Sequence, residues 1–294
     1  MWIIKKSAVT LLGVAVICIA FAAIFVKLSA ASAIIISMYR MLFASILLVP
    51  IVYRHRSEFT RLSSREWLSL LIAGLFLALH FGFWFESLEL TSVASSTVIL
   101  ALQPIVAMIA AYLIYKERAG RTVVISVFIS FSGVLIISWG DFSFSDMSAF
   151  SGNMLSFLSV VAVVCYFMIG QRSVKNLKHW VYSFVVFTFA GFFLLAFNLI
   201  AREEMMSYPP REWILFLMLA IFPTIAHVIF NSLLDAVSPT TISMSMLLEP
   251  VGASLLAYML LSETLDALQL IGGVIVLIGV YFFLMAQRKN NYIK

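Results

Sequence analysis

Ten uninterrupted apolar stretches of about 20 residues divide this 294-residue chain, and they decide what it can fold into. They fall near 7–26, 32–52, 67–87, 93–114, 122–139, 152–171, 179–200, 213–234, 240–261 and 267–286. A helix rises 1.5 Å per residue, so each stretch covers the roughly 30 Å of hydrocarbon in a bilayer. Hydrocarbon offers no partner to a backbone amide, so such a segment must satisfy its own hydrogen bonds as a helix or join a closed barrel. The runs are continuous and too long for barrel strands of about ten residues. The expected fold is therefore an all-α integral membrane protein with ten spans. The first stretch, which follows Lys5 and Lys6, resembles a secretory leader but is long and lacks a cleavage pattern, so it is read as a retained helix.

With 63% hydrophobic and 11% charged residues, the chain would aggregate in water. Its net charge of +5 does not point to nucleic acid, because the lysines and arginines sit in short loops and form no continuous basic face. They report topology instead. With the amino terminus inside, fifteen fall on the cytoplasmic side and three (Lys27, Arg202 and Arg211) on the other, with Arg40 inside a span. That imbalance places both termini in the cytoplasm. Cys18 and Cys165 lie inside apolar runs and read as small packing residues.

The two halves repeat each other 146 positions apart. Arg65-Glu66-Trp67 recurs as Arg211-Glu212-Trp213, Gln103-Pro104 as Glu249-Pro250, Tyr112 as Tyr258, Glu117 as Glu263 and Gly133-Val134 as Gly279-Val280. Five spans per repeat is odd, so the second copy must thread the bilayer in the opposite sense. The expected organisation is a first repeat over residues 1–139, a linker over 140–151, an inverted second repeat over 152–286 and a cytoplasmic tail over 287–294. Inverted repeats that meet at the midplane allow a central site to face each side in turn.

Each half has a proline in its fourth span, an acidic residue after it (Glu117; Glu263) and a glycine-containing fifth span. In this the chain resembles the drug/metabolite transporter superfamily, specifically its EamA family of ten-helix carriers, over residues 8–286. The resemblance implies a plasma-membrane carrier of small metabolites, often an exporter of amino acids or related compounds, and does not choose the substrate.

Polar groups at membrane depth are costly unless they face a partner or a wet cavity, so they nominate the site. Arg40 lies about 12 Å along the second span. It reads as an anchor for a substrate carboxylate or phosphate, or as an arginine that snorkels outward or pairs with Glu86. Its counterpart in the second half is Val186, so its duty is performed once. Gln103 and Glu249 precede Pro104 and Pro250, and each proline should bend its span as a hinge and expose a carbonyl at midplane. A buried Glu249 carboxyl could couple proton binding to transport. Thr224, His227, Asn231 and Asp235 share one helical stripe expected to face the interior, where His227 and Asn231 either line the substrate or form a structural network. His80 and Trp84, four residues apart, either line a cavity or simply pack. Gly272, Gly273 and Gly279, with Ser126, Ser130 and Gly133, could join the two halves or two protomers of a homodimer.

No metal spacing, nucleophile–base pair or nucleotide-binding loop appears, so neither an enzyme nor a cofactor is expected. The expected activity is secondary transport of a small metabolite (an amino acid, a related organic anion or a drug-like compound) by alternating access, with export favoured. Proton or counter-substrate coupling would drive it. A channel-like facilitator or a lipid-moving protein is the alternative.

Overall fold

The computed structural model describes residues 6–91, 93–137, 147–175, 177–262, 265 and 267–289. Twelve α-helices follow one another: α1 (Lys6–Leu28), α2 (Ala33–Tyr53), α3 (Ser64–Leu90), α4 (Val93–Leu100), α5 (Gln103–Tyr115), α6 (Arg121–Ile137), α7 (Met147–Ser173), α8 (His179–Ala201), α9 (Pro210–Leu233), α10 (Pro239–Met246), α11 (Glu249–Leu261) and α12 (Ala267–Lys289). A 3₁₀ turn, Arg56–Arg61, links α2 to α3. Counting α4–α5 and α10–α11 as one span each, nine spans among the described residues are long and apolar enough to cross a membrane, and α6 is shorter at 17 residues. The chain is thus an all-helical, multi-pass membrane protein. Its polarity is arranged for lipid: Ile17, Leu113, Ile200 and Met259 face outward, while Arg40, Gln103, His227 and Asn231 are buried.

Element boundaries keep the 146-residue offset. The starts of α4 and α5, Val93 and Gln103, become Pro239 and Glu249 in α10 and α11, and both pairs have the same lengths. Lys116 and Ser262, the residues that end α5 and α11, share a left-handed backbone with φ of 57° and 56°. The halves interleave: α1 packs on α9, α3 on α7 and α2 on α8. These six helices share one apolar core, whereas α4, α6, α10 and α12 contribute to a second. Small residues make the second contact close. A Cβ on Gly133 would lie 2.7 Å from the Gly272 carbonyl oxygen, and one on Gly279 would lie 2.6 Å from the Ser130 nitrogen. The glycine and serine stripe therefore joins α6 to α12 within one chain.

Pro104 and Pro250 occupy the first turn of α5 and α11, just past interruptions at which Leu102 and Leu248 keep a right-handed helical backbone. Proline suits that position because its missing N–H is one that a helix start leaves unused. The carbonyls next to the breaks are not all left bare: Ile99 accepts from Leu102 N–H at 3.0 Å, and Ser245 from Leu248 N–H at 3.1 Å. Helix α7 starts at Met147, inside the stretch expected to be linker, and the preceding residues 138–146 lie outside the described set.

Candidate functional site

Arg40 projects from α2 into the six-helix core and is only 4% exposed. Its burial leaves no room for snorkelling, and Glu86, exposed near the end of α3, is not its partner. The guanidinium instead stacks on Phe81 of α3, its Cζ 4.5 Å from the ring centroid. Its Nε and Nη2 are buried without a hydrogen-bond partner. Glu249, Tyr166, His80 and His227 are within electrostatic reach of it. A stacked cation with two unfilled donors can receive an anion: the ring lowers the desolvation cost, and the planar fork can take two oxygens at once.

Around the arginine, most polar side chains are held in place. The His80 ring faces α7, with Nδ1 2.8 Å from Ser159 Oγ and 3.1 Å from the Ser159 carbonyl oxygen. Its plane lies 10° from that of Trp84 at a centroid separation of 6.3 Å. Tyr166 of α7 donates to Asn231 Oδ1 at 2.5 Å, and Asn231 Nδ2 donates to Ser183 Oγ of α8 at 3.0 Å. The Tyr166–Asn231–Ser183 chain thereby ties α7, α9 and α8 together beneath the arginine. His227 sits among the rings of Phe81, Tyr166, Phe187 and Phe230 at 6.1–6.5 Å.

A second set of unfilled groups completes the picture. Trp84 Nε1, Thr224 Oγ1, His227 Nδ1 and Tyr182 OH are buried without partners. Each hydroxyl or indole N–H here can donate, so the interior is richer in unused donors than in unused acceptors.

The breaks in the fourth and ninth spans supply the remaining candidates. Gln103, first residue of α5, donates through Nε2 to Ser243 Oγ of α10 at 3.0 Å, a bond between the halves. Glu249 stands at the same place in α11 and is partly accessible.

Of the polar stripe on α9, Thr224, His227 and Asn231 are buried but Asp235 is exposed. It follows the last residue of α9, Leu233, and lies beyond the apolar part of the bundle. The structure thus gathers Arg40, His80 and His227 around Phe81, and Asn231 beside them through Tyr166. Sequence reading missed Tyr166, Ser159, Ser183 and Phe81. Tyr166, Ser159 and Ser183 carried the same faint signal, a hydroxyl inside an apolar run, and Phe81 carried none.

Among the described residues no three His, Cys, Asp or Glu side chains cluster to hold a metal. Surface cavities of about 450 and 170 Å³ lie elsewhere, at the bundle end formed by the 3₁₀ turn, the start of α3 and the α7–α8 loop.

Comparison with known proteins agrees with this architecture. The model of the EamA-like transporter family matches residues 6–139 and again 150–285. An uncharacterized transporter of Archaeoglobus fulgidus is 26% identical over 258 residues, covering 86% of this chain and 88% of its own. The uncharacterized transporter YdfC of Bacillus subtilis is 28% identical over 233 residues, covering 76% and 74%. The uncharacterized transporter sll1164 of a Synechocystis species is 26% identical over 241 residues, covering 78% and 69%. One crystal structure superimposes with a TM-score of 0.83 over 98% of this chain and 99% of its own, at 16% sequence identity, a likeness of fold.

Proposed function

Because the chain belongs to the EamA-like transporter family and is a membrane transporter, we propose that it is a secondary carrier that moves a small anionic or zwitterionic metabolite by alternating access. The metabolite is an amino acid, a related organic anion or a similar drug-like compound, and the direction is export across the plasma membrane. The observation that carries the reading is Arg40, a buried guanidinium whose Nε and Nη2 have no partner. A buried guanidinium with unfilled donors is costly even with Glu249 within electrostatic reach, and a ligand carboxylate supplies the missing acceptors.

His80, Trp84, His227 and Asn231 form the remaining walls, and Gln103 and Glu249 line the approach from the broken spans. Pro104 and Pro250 start the half-helices that rock. The constant offset of the elements and the packing of α1 on α9 and α3 on α7 support two inverted repeats. The lysine and arginine imbalance supports cytoplasmic termini. Protonation of Glu249 is the proposed link to a proton gradient.

The test is comparative. Metabolite profiling of cells with and without the protein identifies the compound, and uptake into proteoliposomes then measures its transport. Arg40→Met should abolish saturable transport while leaving the protein folded and inserted. Unchanged transport by Arg40→Met would remove the arginine from the site.

A further inference from the structure

At one end of the bundle two arginines without a protein partner flank a hollow. Arg65 lies in the first turn of α3 and Arg172 in the last turn of α7, both exposed. Among the described residues the side chain of neither makes an ion pair or a hydrogen bond. The nearby carboxylates are engaged elsewhere: Glu58 pairs with Lys178, and Glu66 accepts from the N–H and Oγ of its own cap, Ser63. Arg65, Arg172, Ser69 and Ser173 line, with Glu66 and three leucines, a surface cavity of about 170 Å³ between α3 and α7. Ser69 Oγ and Ser173 Oγ meet on its wall at 3.5 Å. Ser173 Oγ donates to the Ile169 carbonyl at 3.1 Å, which leaves Ser69 as the hydroxyl that can turn into the cavity.

Arg172 is braced from its other side. Its Cζ lies 5.1 Å from the ring centroid of Tyr115, the last residue of α5, whose hydroxyl donates to the Met168 carbonyl at 3.4 Å. Next to it, Lys116 Nζ lies 5.8 Å from the Tyr112 ring. The opposite end, built from the other copy of the repeat, lacks this arrangement. Arg211, the copy of Arg65, donates to the Leu28 carbonyl at 3.3 Å. Val26, Leu215, Leu261 and Ser262 stand at the positions equivalent to Arg172, Ser69, Tyr115 and Lys116. The bias of lysine and arginine between the two sides accounts for the end on which these cations lie, but not for a hollow between two of them.

We propose that this cavity binds the phosphate of an anionic phospholipid. The two planar forks take phosphate oxygens in pairs, and Ser69 adds a neutral donor. A headgroup of net negative charge fits, because the two cations outnumber the one carboxylate on the wall, Glu66, whose Oε2 already accepts from Ser63. The surroundings fit a lipid. Leu68, one turn along α3 from Arg65, and Leu113 and Ile114, just before Tyr115, are exposed apolar side chains, so acyl chains leaving the cavity meet an apolar wall. The lysine and arginine count puts this end in the cytoplasm, and the cytoplasmic leaflet carries the negative surface potential. The site is separate from that of Arg40, since Arg172 lies about 9 Å further along α7 than Tyr166.

The test is the thermal midpoint of detergent-solubilised protein with added lipid, followed by fluorescence size-exclusion chromatography. Phosphatidylglycerol should raise the midpoint saturably and phosphatidylcholine should not. Arg65→Gln combined with Arg172→Gln should raise the half-effect concentration roughly 25-fold, about fivefold for each cation beside an anionic headgroup. Arg54→Gln combined with Arg118→Gln removes the same charge from exposed positions at the same end and should leave it unchanged. Ser69→Leu keeps both charges, fills the cavity with the residue found at the equivalent Leu215, and should weaken the response likewise. If the Arg65 and Arg172 double variant fails to fold, Ser69→Leu carries the test alone. Equal losses in the two double variants would mean diffuse attraction to a charged surface, and a full response by Ser69→Leu would put the lipid outside the cavity; either result overturns the site. Inorganic phosphate should neither raise the midpoint nor displace phosphatidylglycerol. If it does either, the ligand is a soluble phosphate and the lipid assignment falls.

Discussion

Replacing Gly133 with alanine should loosen the seam that holds α6 against α12, and its cost follows from the coordinates. The added methyl would stand 2.7 Å from both the Gly272 carbonyl oxygen and the Val276 nitrogen. Ordinary van der Waals contact begins at 3.4 Å, and both obstacles are backbone, which cannot rotate aside. The helices must therefore part by about 0.7 Å, a gap that forfeits a quarter to a half of each contact's attraction along the seam. Overpacking of this kind costs about 1–3 kcal/mol. The helix-forming advantage of alanine over glycine returns at most about 1 kcal/mol. A net loss of up to about 2 kcal/mol remains, or up to roughly 5 °C in a thermal midpoint. Gly13→Ala is the control, since nothing lies within 4 Å of its added methyl. The assay is heat treatment of detergent-solubilised protein followed by fluorescence size-exclusion chromatography. Gly272→Ala meets the same seam from the other side, 2.6 Å from the Gly133 carbonyl oxygen. Once the first methyl has spread the helices the second should cost less, so the double variant should be less destabilised than the sum of the singles. If Gly133→Ala melts with Gly13→Ala, the backbone contact is not what joins these helices.

Three further outcomes are expected. Tyr166→Phe strips the donor from Asn231 Oδ1 and should lower stability by about 0.6 kcal/mol, the average for hydrogen bonds between membrane helices, as read by the same thermal assay. Ser262→Gly should raise the midpoint slightly, because it removes the roughly 1 kcal/mol that an L-residue spends in the left-handed region at φ 56°. Glu249→Gln should flatten the pH dependence of transport in proteoliposomes, and an unchanged profile would take the proton role from that carboxyl.

Continuous apolar runs declared the spans because a bilayer permits little else, and the repeat was visible because motifs such as Arg-Glu-Trp occur twice. The glycine and serine seam was legible too, since small residues at helical spacing allow backbones to meet. What stayed hidden depended on tertiary contacts. Apolar stretches 93–114 and 240–261 look unbroken, and hydropathy is blind to hydrogen-bond pattern, so the prolines alone signalled the interruptions at Ala101-Leu102 and Leu247-Leu248. Helical periodicity placed Asp235 on the same stripe as His227, but periodicity does not say where a helix stops, and α9 stops at Leu233. Arg40 was legible as an anomaly, its setting was not. Phe81, one of 26 phenylalanines, has nothing in its local sequence to mark it as the ring beneath a guanidinium. Tyr166, Asn231 and Ser183 sit on three helices and became a chain only once those helices were packed.

The central claim is that one site is exposed to one compartment at a time. It is tested most directly by locking the α1–α2 loop to α9, where Ser29 Oγ donates to Glu212 at 2.5 Å, and measuring flux. Ser29→Cys and Glu212→Cys, in a background with Cys18 and Cys165 replaced by alanine, can be bridged by a short thiol-reactive cross-linker that is cleaved by reduction. With the profiled metabolite loaded on one side of proteoliposomes, cross-linking should stop both net transport and exchange, and reduction should restore them. Flux that continues through the cross-linked protein would contradict the account.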